Sequence, residues 1–170
     1  VSDLTYGNNG FYLSFADRIE AGGGVMSATG GTITTDGDYK VHSFTADGTF
    51  TPTSVPATNS YVEYLVIAGG GGGGGGHAGG GGAGGYRTGV LTVTAQAYSI
   101  TVGSGGTAGD NSATSSGGGG NGDDSVFSDI AEVVTITSTG GGGGGGRGNQ
   151  NGKNGGSGGG SSETNPIGSG

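Results

Sequence analysis

The chain reads as mainly β: short strands and hairpins joined to a sandwich of stacked polyglycine-II helices, with no α-helix. Three observations predict this. An unbroken glycine run over residues 69–76 begins flush against the apolar stretch Tyr61-Val-Glu-Tyr-Leu-Val-Ile-Ala68. The same join recurs where Val133-Val-Thr-Ile-Thr-Ser-Thr139 leads into glycines 140–146. No amphipathic 3.6-residue period survives anywhere, and each glycine inside a helix would cost about 1 kcal/mol. A flexible linker has no reason to start repeatedly at the end of a strand, so the glycines are read as a packed element.

In order along the chain, residues 1–20 carry one β-like stretch, Gly10-Phe-Tyr-Leu-Ser-Phe15, in which Phe11, Leu13 and Phe15 alternate as on a half-buried strand. Residues 1–20 are drawn as a region of their own. Residues 21–59 form a β-hairpin lead-in. Thr32-Ile-Thr-Thr35 and Tyr39-Lys-Val-His-Ser-Phe44 flank Asp36-Gly37, and Asp47-Gly48 follows before Thr49-Phe50. Asp-Gly between β-formers is a hairpin signal, because glycine accepts positive φ in a tight turn. Pro52 and Pro56 then frame a connecting loop. Residues 60–170 are the glycine-rich polyglycine-II/β domain. Tyr61 to Ala68 is apolar on both faces apart from Glu63, which predicts a central, covered strand. Residues 90–94, 98–102, 126–127 and 133–137 are further strands, separated by glycine tracts. The start at Val1 and the end inside a Gly/Ser tract predict a piece of a longer chain.

Glycine makes up 49 of 170 residues, against roughly 7% on average, and only 29% of the chain is apolar. So little apolar surface does not offset the entropy of ordering a backbone. Two outcomes follow: a largely disordered chain, or an interior held by backbone hydrogen bonds. Collagen does this with glycine at every third position and abundant proline; three prolines and no Gly-X-Y period exclude it here. An isolated polyglycine-II helix has three residues per turn and leaves its N–H and C=O groups pointing outward. Without β-carbons, several such helices can lie side by side and bond laterally; eight residues would span roughly 25 Å. Each bond adds about 0.5–1.5 kcal/mol against about 1–2 kcal/mol of entropy per residue, so the flanking strands must supply the remainder. Tyr61, Leu65, Val66, Ile67, Leu91, Val93, Ile100, Val134 and Ile136 are the side chains expected to be buried for this.

The net charge of −8, with five basic residues, opposes binding to nucleic acid and to anionic membrane surfaces. No apolar window approaches the roughly 20 residues of a helical membrane span. The absence of cysteine removes thiolate catalysis and thiolate metal sites. No catalytic or cofactor-binding residue is predicted, because no nucleophile, oriented base and cleft can be assembled from this composition. Dinucleotide fingerprints arise trivially inside polyglycine. A phosphate-loop reading of residues 147–154 fails, because Arg147 stands where the first glycine is needed and Asn154 follows Lys153. Gly119-Gly-Asn-Gly-Asp-Asp-Ser-Val-Phe127 fits a calcium-binding nonapeptide, making Asp123 and Asp124 weak metal candidates. Such sites form between stacked copies, and the single copy favours a turn cap before the next strand.

The string from Tyr61 to Gly71, with Gly79-Gly-Gly-Gly-Ala-Gly-Gly-Tyr-Arg-Thr-Gly89, Leu91-Thr-Val-Thr94, Ile100-Thr-Val-Gly103 and Asn121-Gly-Asp-Asp-Ser-Val-Phe127, resembles the glycine-rich domain of tailed-phage tail-fibre and tip-adhesin proteins. The likeness covers about residues 28–160. Upstream, residues 30–45 are similar to the β lead-in that often precedes that domain, and residues 1–17 resemble the closing strand of a lectin module of phage tail proteins, which would make 1–20 the tail end of a lectin-like β module. The family usually continues with further glycine helices, which leaves open whether the domain of residues 60–170 is complete at its C-terminus. The resemblance implies layered polyglycine helices whose distal loops contact a host receptor, with no invariant site to transfer.

If the helices are buried, recognition falls to their reversals. The receptor-loop candidates are His77, Asp110, Asn111, Asn149, Gln150, Asn151, Lys153 and Asn154, joined by Tyr86 and Arg87 at the end of the first tract. For Tyr86 and Arg87 the plainer reading is an anchor to the β-layer, and for His77 a turn. The expected function is a structural and host-attachment component of a phage tail fibre, located in the virion and facing outward. Its partners would be a bacterial surface receptor, protein or glycan, and other fibre subunits, including copies of itself. The alternative is a purely structural fibre, filament or matrix subunit without receptor binding.

Overall fold

Backbone pairing in a computed structural model gathers ten strands, counted among the described residues, into two five-stranded antiparallel sheets. The residues described are 10–16 (backbone only), 26–58, 60–110, 117–129, 133–147, 151–162 and 168–170. The strands are β1 (Gly10–Ala16), β2 (Ser27–Thr29), β3 (Thr32–Asp36), β4 (Tyr39–Phe44), β5 (Gly48–Ser54), β6 (Tyr61–Ile67), β7 (Tyr86–Thr92), β8 (Tyr98–Thr101), β9 (Ser125–Asp129) and β10 (Thr135–Ser138). No α-helix occurs among the described residues. The expected mainly β, helix-free class is therefore the observed one.

One sheet runs β3-β4-β1-β6-β7 and the other β10-β9-β8-β5-β2. The first takes strands from each of the three regions drawn from the sequence: β1 lies between β4 and β6, with Leu13 opposite His42 on one side and Tyr64 on the other. The side chains of Phe11, Leu13 and Phe15, whose alternation predicts that strand, lie outside what is described.

The β3–β4 hairpin forms where Asp-Gly predicts one, shifted by a residue. Asp36 pairs with Tyr39, so Gly37 and Asp38 make the turn, and Gly37 takes a φ of 57°. The second Asp-Gly does something else: β4 and β5 belong to different sheets, and Asp47-Gly48 marks the corner between them. Asp47 Oδ1 holds that corner by accepting the Val102 N–H at 2.8 Å. Pro52 lies inside β5 rather than in a loop. Its partner β2 shifts register between Ser27 and Ala28, and bulges are among the few places where a sheet accepts proline.

The core lies between the sheets. Phe44, Val62 and Val66 come from the first sheet and Phe50, Tyr98, Ile100 and Phe127 from the second, joined by Met26 and Val93. Tyr98 and Phe127 stack with centroids 5.1 Å apart. Strict alternation in β8 and β9 puts Tyr98, Ile100 and Phe127 inside. Of the side chains expected to be buried, Val66, Val93 and Ile100 are, while Leu65, Ile67, Leu91, Val134 and Ile136 are half-buried. β6 is interior to its sheet but covered on one face only. Val62 and Val66 point to the core, and Tyr61, on the opposite face, stays 40% exposed.

His42 is buried on the core face of β4, edge-on to Phe50 at 5.2 Å, and its Nδ1–H donates to the Gly30 carbonyl at 2.7 Å. Burial pushes its pKa below the usual 6.5, and the bond to Gly30 only partly opposes that shift. The unfolded chain therefore binds a proton at a pH where the folded one resists it. The stability from burying neutral His42 is complete above about pH 6.5 and is lost as the pH falls through the lowered folded value. Between pH 7 and 5 the wild type should lose stability more steeply than His42→Gln in urea titrations; parallel slopes would contradict this assignment.

The glycine tracts extend the sandwich. Tract t1 (68–75) leaves β6, t2 (79–85) returns to β7, t3 (102–109) leaves β8, t4 (117–124) enters β9, t5 (139–147) leaves β10, and t6 (151–156) and t7 (157–162) follow. Their bonds recur at every third residue. Ala68, Gly71 and Gly74 donate to Gly85, Gly82 and Gly79 in t2, while Gly69, Gly72 and Gly75 donate to Asp123, Gly120 and Gly117 in t4.

Tract t5 is the centre, with residues 140–146 all buried. Its N–H groups donate in one row to t1 (Gly141 to Gly69, Gly144 to Gly72) and in another to t7 (Gly142 to Ser157, Gly145 to Gly160). The third row meets side chains: Gly140 N donates to Asp124 Oδ1 at 2.8 Å, and Gly143 N to Asn121 Oδ1 at 2.9 Å. Its carbonyls accept from t2, t4 and t6. Every N–H and C=O from Gly140 to Gly145 is satisfied, as a buried backbone requires.

Candidate functional site

The ends of t1, t3 and t5 and the start of t4 gather at the end remote from the sheets, whereas t6 turns into t7 at the sheet end, where Gly156 donates to Gly140. Gly75 donates to Gly117 and accepts from Arg147, and Gly109 donates to Gly73, so the ends of t1, t3, t4 and t5 are bonded neighbours. The turn after t1 needs glycine: Gly76 has a φ of 77°, and exposed His77 follows it. Asp110, exposed at the end of t3, and exposed Asn151, at the start of t6, flank the neighbouring reversals. Asn111, Asn149 and Gln150 lie outside the described residues.

The other candidates lie elsewhere. Lys153 is set back along the lattice, where its N–H donates to Gly143 and its carbonyl accepts from Gly159. Asn154 is committed to structure: its Oδ1 accepts the Ser169 N–H at 2.9 Å, and its carbonyl accepts Asn121 Nδ2 at 3.2 Å. Tyr86 and Arg87 open β7, paired with Ile67 and Val66 at the sheet end of the lattice. The sequence alone places them at the end of the first tract. Asp123 Oδ2 accepts from the Ser104 hydroxyl and Asp124 from Gly140, so both carboxylates hold tracts together at the strand joins. Among the described residues no group of three or more His, Asp or Glu gathers as a metal site would, and no helix is long and apolar enough to cross a membrane.

Two hydroxyls at the joins have no counterpart among the sequence candidates. Ser125 is fully buried; its Oγ accepts the Gly103 N–H at 2.9 Å and donates to the Ile67 carbonyl at 2.8 Å, tying t3, β6 and β9 at one point. Ser138 is equally buried at the end of β10, yet its Oγ has no hydrogen-bond partner among the described residues. The two should respond oppositely to removal. Ser125→Ala strands two backbone groups and should cost about 1–3 kcal/mol, whereas Ser138→Ala removes an uncompensated polar atom and should cost nothing. Paired urea melts check this, and equal losses would refute it. Asn121, which interrupts a glycine run, is the one legible signal, since an interruption inside a packed tract needs a side-chain task.

A family model described as a glycine-rich domain matches residues 45–170, most of the chain and all of the lattice. The chain belongs to the glycine-rich domain family. No curated protein and no solved structure matches it.

Proposed function

We propose that this glycine-rich domain is a structural and host-attachment component of a phage tail fibre, carried in the virion and facing outward. In this reading the tracts are polyglycine-II helices, and the lattice is a stiff stalk presenting variable loops to a bacterial surface receptor. The observation that carries it is the gathering of the tract ends at His77, Asp110 and Arg147 at the end opposite the β-sandwich. Polar side chains on loops held by a rigid scaffold suit surface binding. The three-residue period of the bonds supports the polyglycine-II assignment, since that helix has three residues per turn.

The test compares binding of the purified chain to candidate host cells with that of variants altered at His77, across residues 110–116 or across 149–151. Loss of binding by about tenfold or more in any loop variant, with an unchanged melting temperature, is the expected result. If no loop change alters binding, the loops leave the account. Regular filaments without cell binding would favour a purely structural fibre subunit.

A further inference from the structure

Asparagine followed by glycine occurs four times, at Asn9-Gly10, Asn121-Gly122, Asn151-Gly152 and Asn154-Gly155. The pair is reactive because glycine has no β-carbon to shield its amide nitrogen or to hinder rotation towards the asparagine side chain. Asn9 lies outside the described residues. The other three asparagines are all exposed, so access to water does not separate them. Hydrogen bonding does. Asn121 Oδ1 accepts the Gly143 N–H at 2.9 Å and its Nδ2 donates to the Asn154 carbonyl at 3.2 Å. The next amide, of Gly122, donates to the Gly141 carbonyl at 2.9 Å. Asn154 Oδ1 accepts the Ser169 N–H at 2.9 Å, and the Gly155 N–H donates to the Ser169 carbonyl at 3.2 Å. At Asn151 neither half is engaged. Its side chain has no hydrogen-bond partner among the described residues, and the Gly152 N–H donates to none of them.

We propose that Asn151 is a self-modification site, at which the free Gly152 amide closes on the unbound side chain and converts it to a carboxylate. The Gly152 nitrogen gives up its proton to water and attacks Asn151 Cγ, forming a C–N bond in a five-membered imide. The Cγ–Nδ2 bond breaks, and Nδ2 takes a proton back from water and leaves as ammonia. One water molecule then opens the imide at either carbonyl, giving aspartate or isoaspartate. The sum is asparagine plus water to acid plus ammonia, with no change of oxidation state and no co-reactant but water. Each event adds one negative charge to a chain of formal charge −8, at the exposed start of t6. The isoaspartate product also lengthens the backbone by one atom. That puts it out of step with the three-residue spacing of the bonds from Lys153 to Gly143 and from Gly156 to Gly140. The chemistry stands on the bond pattern alone; an effect of the new charge on attachment rests on the loop reading above.

The experiment holds the full chain in warm, mildly alkaline buffer, with and without urea, and follows each asparagine by tryptic peptide mass mapping. Cleavage after Arg147 and Lys153 puts Asn151 and Asn154 on different peptides. In the folded protein Asn151 should convert about tenfold or more faster than Asn121 and Asn154, because each of those must first lose two or three hydrogen bonds. In urea, where no such bonds persist, the three rates should converge. Equal rates in the folded chain, a faster Asn121 or Asn154, or a lead of Asn151 that persists unchanged in urea would each overturn the proposal. Unchanged cell binding by Asn151→Asp would count against the loop reading alone, so the two failures can be told apart.

Discussion

Gly144→Ala is expected to destabilise the protein by on the order of 3 kcal/mol or more, while Gly80→Ala in a neighbouring tract should be neutral or slightly stabilising. Both replace one glycine of a glycine run with the same residue, and neither backbone has a positive φ. The difference is where the added methyl goes. At Gly144 a β-carbon would overlap the carbonyl of Gly79, with the Gly79 carbon at 2.7 Å and the Gly80 oxygen at 2.9 Å. All three are backbone atoms, so no rotamer change relieves the clash. Tract t2 must move away from t5, which strains the bonds from Gly79 to Gly145 and from Gly82 to Gly142. Overpacking alone costs about 1–3 kcal/mol, and each buried backbone group left without a partner adds about 1–3 kcal/mol. At Gly80 nothing lies within 4 Å of the added carbon. There the lower entropy of the unfolded chain should dominate, giving about 0.4–1 kcal/mol of stabilisation. Urea melts of the two variants decide the matter. If Gly144→Ala proves as mild as Gly80→Ala, close lateral packing of t5 is not what holds the lattice.

This pair also shows which part of the fold is legible in the sequence. The joins at residues 68–69 and 139–140 announce that glycine continues a strand, because apolar residues give way to glycine without a turn between them. The order of burial among the tracts does not show. Residues 79–82 and 140–146 look alike as strings, yet Gly80 is exposed and residues 140–146 are buried. A glycine carries no side chain to reveal which way it faces, so only the lateral partners fix its environment. The same limit applies to β6. Its apolar residues on both faces hide the phase, and Val62 rather than Tyr61 faces the core. The two Asp-Gly pairs predict turns equally well, but whether the next strand pairs with the last or crosses to the other sheet depends on distant strands. In the candidate site, His77 at a reversal is readable because it interrupts a glycine run. The placement of Tyr86 and Arg87 is not, since β7 starts four residues before the apolar pattern that suggests it. The hydroxyls of Ser125 and Ser138 carry no sequence signal that separates them from the other serines.

Phe127→Ala should cost about 3–5 kcal/mol, the range for deleting a buried aromatic ring, and the loss should reach the glycine lattice. Phe127 is almost fully buried, stacks on Tyr98 and is paired with Ile100 on one side and Ile136 on the other. It sits in β9, between β8 and β10. Those strands feed tracts t3 and t5, and t4 enters β9 itself. Ser125, two residues before Phe127, fastens t3 and the end of β6. A cavity at Phe127 therefore loosens the strands that fix where the tracts begin. The lateral bonds are individually weak and offset only part of the entropy of ordering glycine, so they should not hold their register without those strands. Hydrogen exchange measures this directly. In the wild type the Gly141 and Gly144 amides, both bonded to t1, should exchange only through opening of the whole domain. In Phe127→Ala their protection should fall by the same free energy as the global stability. If those amides keep their protection while the sandwich unfolds, the lattice stands by itself and the aromatic core is not its clamp.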